Sequence, residues 1–271
     1  MAALLVVVTA TYAWYIYNTR GHTTDVRMAA GTGTNLQISS EYDTGYGSAA
    51  VLESFNGRLT PVSTDKIANG FQQAAGFTSG KEGQAGLVIN FFKNSKPTDY
   101  YTTSLYLRTN GVATDVYIAD IGFEDNDLEN PISSAIRVGF VVHAPGSNGK
   151  AVSEYIFEIS DIKNPEAEYN TATGKEGYVL DSTKTDGTTV PFTPYNKDAY
   201  CIYDRNTGVV TLKENSLKLC TVEGDGNGNQ GTPVRVDVYI WLEGCDEDCV
   251  DNLCNETLEK LAVSFAGIVR N

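Results

Sequence analysis

The chain has 271 residues and a formal net charge of −14, from 20 Lys and Arg against 34 Asp and Glu. So acidic a balance argues against nucleic acid and anionic membrane surfaces, whose phosphates draw cationic partners. Apolar residues make up 41%, enough for a packed core, whereas 2 His exclude a His-rich metal site and leave little room for general-base chemistry.

In chain order, the first informative stretch is residues 1–17, which carry no charge. A secretory signal needs a cationic segment ahead of its apolar run, and none precedes Leu4. A membrane helix wants about 20 apolar residues, whereas Thr9, Thr11, Tyr12, Tyr15 and Tyr17 interrupt this run. A β-strand fits best, because Val, Thr, Tyr, Trp and Ile dominate and alternate. Leu4, Val6, Val8, Ala10, Tyr12, Trp14 and Ile16 fall on one wholly apolar or aromatic face, and the opposite face is mixed. Seventeen extended residues reach roughly 55 Å, against a radius of gyration near ~18 Å for a globule of this size. A strand that overruns its own domain, and would aggregate if left free, is best explained by insertion into a neighbouring molecule. Residues 1–20 are therefore expected to be an exported donor strand and 21–271 a single β-sandwich domain.

After Arg20 the pattern is all-β, with short Val, Ile, Tyr and Phe runs punctuated by Gly, Asn, Asp and Pro. Strands are expected over 35–39, 86–93, 101–109, 114–123, 135–143, 153–159, 209–212, 233–243 and 261–268. Asn110 and Gly111 predict a hairpin joining 101–109 to 114–123. Turns are expected over 204–208 and 223–231, and short helices over 65–75 and 251–260, the second capped by Asn252. The polar stretch 164–197 reads as an excursion from the sheet. Many short strands at this spacing suggest a sandwich or barrel.

The five cysteines, Cys201, Cys220, Cys245, Cys249 and Cys254, all lie near the C-terminal end. A zinc site lacks a nearby His and a second CxxC pair. A disulfide loop is the better reading in a secreted chain, with at least one bond among Cys245, Cys249 and Cys254 and a further one between Cys201 and Cys220. Free thiols are the third option. Asn255 begins a formal glycosylation sequon. Acidic loops at 124–127 and 246–248 could hold calcium through hard oxygen ligands, although a solvated turn is the commoner use. Asp225, Asn227 and Asn229 open like a calcium loop, but Gln230 and Val236 stand where Gly and the bidentate Glu belong. No GxSxG, P-loop or HExxH occurs, and no resident cofactor or enzymatic activity is expected. Tyr100, Tyr101, Tyr106, Tyr117, Tyr155, Tyr200, Tyr203 and Tyr239 lie on or beside strands. They could form a carbohydrate platform, although cross-strand packing is the usual role.

Several segments together resemble a known group. Thr9-Ala-Thr-Tyr-Ala-Trp14 resembles the signal-peptide end of proteins processed by the dedicated peptidase SipW. Leu59-Thr-Pro-Val-Ser-Thr64, Leu105-Tyr-Leu-Arg108, Ile136-Arg-Val-Gly-Phe140 and Val238-Tyr-Ile-Trp-Leu-Glu-Gly244 resemble recurring segments of its clostridial members. The group is similar to TasA and camelysin. The resemblance implies a jelly-roll-like β-sandwich, secreted from a Gram-positive-type cell and assembled into biofilm-matrix fibres in which one subunit's N-terminal segment completes the next subunit's sheet. Cleavage near Ala10 or Ala13 would remove residues 1–10, so this chain either keeps a longer strand or is processed upstream. No LPxTG-like sorting signal is present, which disfavours a sortase-linked pilin. The expected function is a self-assembling extracellular filament subunit without nucleic-acid partner or stable membrane span. The alternative is a monomeric adhesin or carbohydrate-binding module anchored by its apolar N-terminus.

Overall fold

The computed structural model describes residues 24–30, 35–52, 59–64, 66–79, 87–94, 96–124, 135–158, 199–204, 206–244, 249 and 260–270, together with four two-residue pieces between 169 and 190. These residues are all-β, with one 3₁₀ turn and no α-helix among them. The strands are β1 (Thr24–Ala30), β2 (Leu36–Ser39), β3 (Ala49–Leu52), β4 (Val62–Ser63), β5 (Gln72–Ser79), β6 (Leu87–Asn94), β7 (Tyr101–Thr109), β8 (Val112–Glu124), β9 (Ile136–His143) and β10 (Ser153–Glu158). There follow β11 (Tyr169–Asn170), β12 (Lys175–Glu176), β13 (Val179–Leu180), β14 (Thr189–Val190), β15 (Ile202–Asp204), β16 (Val209–Thr211), β17 (Lys218–Asp225), β18 (Val234–Leu242) and β19 (Lys260–Val269).

Ten strands form two five-stranded sheets. The first has the order β17-β8-β19-β1-β3 and the second β10-β9-β18-β7-β2. Alternation along the strands decides which residues meet between them. Val116, Ile118, Ile121, Leu261, Val263 and Phe265 of the first sheet share one core with Leu105, Leu107, Val138, Phe140, Val236, Val238 and Ile240 of the second. Phe140 stands edge-on to Phe265 across the layers, with ring centroids 6.2 Å apart.

The second sheet is covered on its outer face as well. Val62, Ile67, Phe71, Val141, Ile156 and Trp241 form a satellite core there. Ile67, in the 3₁₀ turn Ile67–Asn69, seats over Gly139, where a Cβ would collide with the Ile67 Cδ1 methyl. This corrects the helix expected over 65–75: one turn is followed at once by β5, which pairs antiparallel with β6. Of the helix expected over 251–260, residues 251–259 lie outside the described set and Lys260 opens β19. Within 164–197 the described pieces pair as β11 with β12 and β13 with β14.

The Asn110–Gly111 turn joins strands of the expected extents, but they do not pair with each other. β7 bonds to β18 and β2, and β8 to β17 and β19. The chain therefore crosses from one sheet to the other at this corner. The loop after β17 takes the place of the hairpin ladder: the Gly226 amide donates to Gly111 O and the Gly231 amide to Thr109 O, each at 2.8 Å. A Cβ on Gly231 would run into the carbonyl oxygen of Glu223, and one on Gly224 into that of Gly111, so only glycine permits this approach.

Candidate assembly site and the second outer face

The first sheet contains the one parallel ladder among the described strands. Asp25 to Ala30 of β1 stand opposite Ala262 to Gly267 of β19, running in the same direction. On its other side β1 pairs antiparallel with β3, from Thr24 opposite Leu52 to Arg27 opposite Ala49. The strand nearest the apolar N-terminal stretch is thus intercalated within the sheet. β19 is held on its far side by β8 over a register running from Lys260 opposite Glu124 to Val269 opposite Thr114, with one irregularity between Ser264 and Phe265. β3 is held independently of β1. Two residues before it, the Gly47 amide donates to Ile38 O at 3.0 Å and the Ile38 amide to Gly47 O at 2.9 Å, tying the segment to β2 of the opposite sheet.

The predicted donor-strand residues Leu4, Val6, Val8, Ala10, Tyr12, Trp14 and Ile16 lie outside the described residues. The β1 position was missed in the sequence. Its alternation, Val26 and Met28 against Asp25 and Arg27, is the signal that could have found it, but it is short and broken by Ala29 and Ala30.

The outer face of the second sheet carries the described chemistry. The Asp237 carboxylate, side chain 8% exposed, accepts from both Arg235 Nε and Nη2 at 2.7 Å and from Ser104 Oγ at 2.7 Å. His143 Nε2 lies 2.9 Å from its other oxygen, and His143 Nδ1 lies 3.0 Å from Gly149 O. The residues converge because register sets Asp237 opposite both Ser104 and Val141, and Arg235 opposite both Tyr106 and His143. The Asp237 bond raises Arg235 above its ordinary range. Ser104 donates to the carboxylate rather than to the imidazole, so this cluster is a paired buried charge and not a nucleophile–base relay.

Aromatic rings flank the cluster. Tyr100 stacks on Phe71 with centroids 4.3 Å apart and lies 6.1 Å from Tyr239. Tyr42 meets Tyr106 edge-on at 5.5 Å, and the Arg108 guanidinium sits 3.6 Å over the Tyr46 ring. Burial pushes the Tyr46 hydroxyl up to about 12. Tyr101 and Tyr117, by contrast, are buried, and Tyr155 and Tyr200 pack against the main core.

The Cys201–Cys220 bond expected from sequence does not form. Cys201 packs with Tyr117 and Ala266 on the outer face of the first sheet, while Cys220, opposite Val116, points into the main core. The sheet separates the two thiols. Cys249 is buried in the main core, and Cys245 and Cys254 lie outside the described residues. So do Asn255 and both acidic loops apart from Glu124. Asp225 spends its carboxylate on the Asn227 amide at 2.8 Å and the Asn229 side chain at 2.7 Å. Those bonds, Asn229 first, hold it below the usual carboxylate range. Among the described residues no group of three or more His, Cys, Asp or Glu could hold a metal ion, and no helix is long and apolar enough to cross a membrane. Comparison with protein-family models, with curated proteins and with solved structures finds no match to this chain.

Proposed function

We propose that this chain is the structural subunit of an extracellular filament assembled by donor-strand complementation. The observation that carries the reading is the intercalated, parallel β1, which comes from the segment next to an apolar, alternating N-terminal stretch. The strand orders support a jelly-roll-like sandwich. The sheet β17-β8-β19-β1-β3 faces β10-β9-β18-β7-β2, and the chain passes repeatedly from one layer to the other. In the filament the face formed by Leu4, Val6, Val8, Ala10, Tyr12, Trp14 and Ile16 enters a neighbouring subunit. Main-chain hydrogen bonds supply pairing and alternate side chains fill pockets. Each large side chain buried contributes about 1.5–3 kcal/mol, and a head-to-tail contact of this kind does not close on itself, so it propagates. The charge of −14 keeps the assembled surface solvated. On this reading assembly needs neither cofactor nor membrane.

Negative-stain electron microscopy tests it. The full chain forms filaments, and deletion of residues 1–12 abolishes them; unchanged filaments from the deletion would sink the proposal. Val8→Asp weakens assembly for the same reason, because it places an unpaired charge in an apolar joint.

A second reading, an adhesin or carbohydrate-binding module, is favoured by the Tyr42–Tyr106 and Tyr100–Tyr239 pairs flanking Arg235 and Asp237 on one sheet face. Single particles in the micrographs, together with retardation of the chain in polysaccharide-containing gels, would favour it over the filament.

A further inference from the structure

We propose that Asn148 is a site of spontaneous covalent modification, converted to isoaspartate by attack of the Gly149 amide, and that the conversion releases the turn after β9 from His143. The inference is independent of the function the chain serves.

Asn-Gly is the dipeptide suited to this reaction, because glycine has no side chain to shield its amide from the asparagine carboxamide. The chain has five such pairs, beginning at Asn56, Asn69, Asn110, Asn148 and Asn227. The first lies outside the described residues. Three of the others are held. The Gly70 amide donates to Ile67 O at 3.0 Å. The Gly111 amide donates to Thr109 Oγ1 at 3.0 Å, and the Asn110 side-chain oxygen is buried. The Asp225 carboxylate accepts from the Asn227 amide at 2.8 Å and from the Asn227 side chain as well.

Asn148 and Gly149 differ. Both are exposed. The Lys150 amide donates to Ser147 O at 3.0 Å and closes a four-residue turn whose central residues, Asn148 and Gly149, have φ of 52° and 76°. Two successive positive values are those of a type I′ hairpin turn, and Asn148 is the one non-glycine residue with positive φ among the described residues. Among those residues neither the Asn148 carboxamide nor the Gly149 amide has a hydrogen-bond partner. A Cβ on Gly149 would meet nothing within 4 Å, so no packing screens its amide.

The chemistry needs only water and base. Base removes the Gly149 amide proton, and the nitrogen bonds to Asn148 Cγ. The Cγ–Nδ2 bond breaks and ammonia leaves, completed by a proton from water, which leaves a cyclic imide. Water then opens the ring. Cleavage at Cγ gives aspartate, whereas cleavage at the main-chain carbonyl gives isoaspartate, with the main chain rerouted through Cβ and Cγ. In sum, water is consumed, ammonia is released and nothing is oxidised or reduced.

The turn transmits the change to the outer face of the second sheet. Gly149 O accepts from His143 Nδ1 at 3.0 Å, and the same ring reaches the Asp237 carboxylate through Nε2 at 2.9 Å. Isoaspartate lengthens the main chain by a methylene directly before Gly149, which carries that carbonyl away from the ring. The ladder between β9 and β10 runs from Val142 opposite Ser153 to Arg137 opposite Glu158 and confines the change to the turn.

Peptide mapping tests the site. The full chain is incubated at mildly alkaline pH, native and in urea, and the peptides spanning each pair are followed by mass spectrometry, with isoaspartyl and aspartyl forms separated by chromatography. In the native chain Asn148 should convert on the order of tenfold faster than Asn110, which reacts only from locally opened forms. In urea the rates should converge. Native conversion at Asn69, Asn110 or Asn227 as fast as at Asn148 overturns the site. The His143 ring nitrogens, followed by NMR in the same samples, test the consequence. The Nδ1 signal should shift in step with isoaspartate, and stay in place in Asn148→Gly, which keeps the turn but cannot react. An unmoved signal in fully converted chain overturns the release. Freshly prepared Asn148→Asp adds the charge without the methylene; a shift there equal to that of the converted chain would overturn the lengthened main chain as its cause.

Discussion

The two five-stranded sheets share one core but are built to different rules. In the second sheet every ladder is antiparallel, and β18 keeps an unbroken register with both its neighbours. β9 is buried on both faces along nearly its whole length, because the 3₁₀ turn and Phe71 cover the outer side. In the first sheet β8 has irregular pairing with both β17 and β19, and the ladder at β1 is parallel. The faults of the first sheet lie along β8, whereas the ladders that β1 makes with β19 and β3 are unbroken. The unbroken second sheet is the frame on which this less regular sheet packs.

The largest expected effect comes from removing the frame. Phe140 is fully buried, with Phe157 at 5.7 Å on one side and Phe265 of the first sheet at 6.2 Å on the other. Phe140→Ala should cost about 3–5 kcal/mol of stability in urea unfolding, from lost transfer energy plus the cavity left behind. A cost below about 1 kcal/mol, in the range of a substitution outside the core, would break the assignment of the second sheet as the frame. Asp237→Asn comes next. It keeps the shape but removes the charge that Arg235, Ser104 and His143 address. The expected loss is about 1–2 kcal/mol, the lower part of the range for charge-assisted bonds, because the Arg235 side chain is 45% exposed and screened by water.

The contrast between the sheets also explains what could be read in advance. β7, β9 and β18 were legible to within a residue at each end, because their apolar residues recur with period two and turn residues bound them. The first sheet was legible only in β8 and β19. β17, Lys218–Asp225, mixes charged and glycine positions and reads as a turn at its end, yet Cys220 and Val222 are drawn into the core by pairing with β8. β5, Gln72–Ser79, begins with two Gln and carries a helical bias until β6 pairs with it. Asn110–Gly111 fixed a turn but not a pairing, since turn chemistry is local and the partner of a strand is chosen by the layer it reaches. The parallel place of β1 had no local signature, because strand direction is a property of topology. Cysteine spacing was equally blind to the sheet lying between Cys201 and Cys220.

Cys220 offers a probe of how far the first sheet opens. It lies in β17, at the far edge of that sheet from β1 and β3. Burial first, and then the Asp115 carboxylate, push its thiol up to about 12. The thiolate needed for alkylation is therefore scarce at about pH 8, and iodoacetamide should leave Cys220 unmodified in the native chain and label it in urea. Native labelling at the urea rate would mean that the first sheet opens as a whole.

The smallest effect belongs to the exposed hairpin of β15 and β16, which lies outside both large sheets. Asp204 accepts from the Thr207 hydroxyl and the Asn206 amide, each at 2.8 Å. These bonds, the hydroxyl first, hold its carboxyl below the usual carboxylate range. A depressed folded value means that the turn's stabilisation is complete above the ordinary carboxylate range and is lost as pH falls through the lower, folded value. The Asn206 amide resonance should therefore move in that acid window in the unsubstituted chain and stay still in Asp204→Ala. Global unfolding should be nearly the same in both, because a solvated turn outside the two sheets has no part in their shared core. If Asp204→Ala instead lowered the melting temperature as much as Asp237→Asn does, the hairpin would have to be counted as part of the frame.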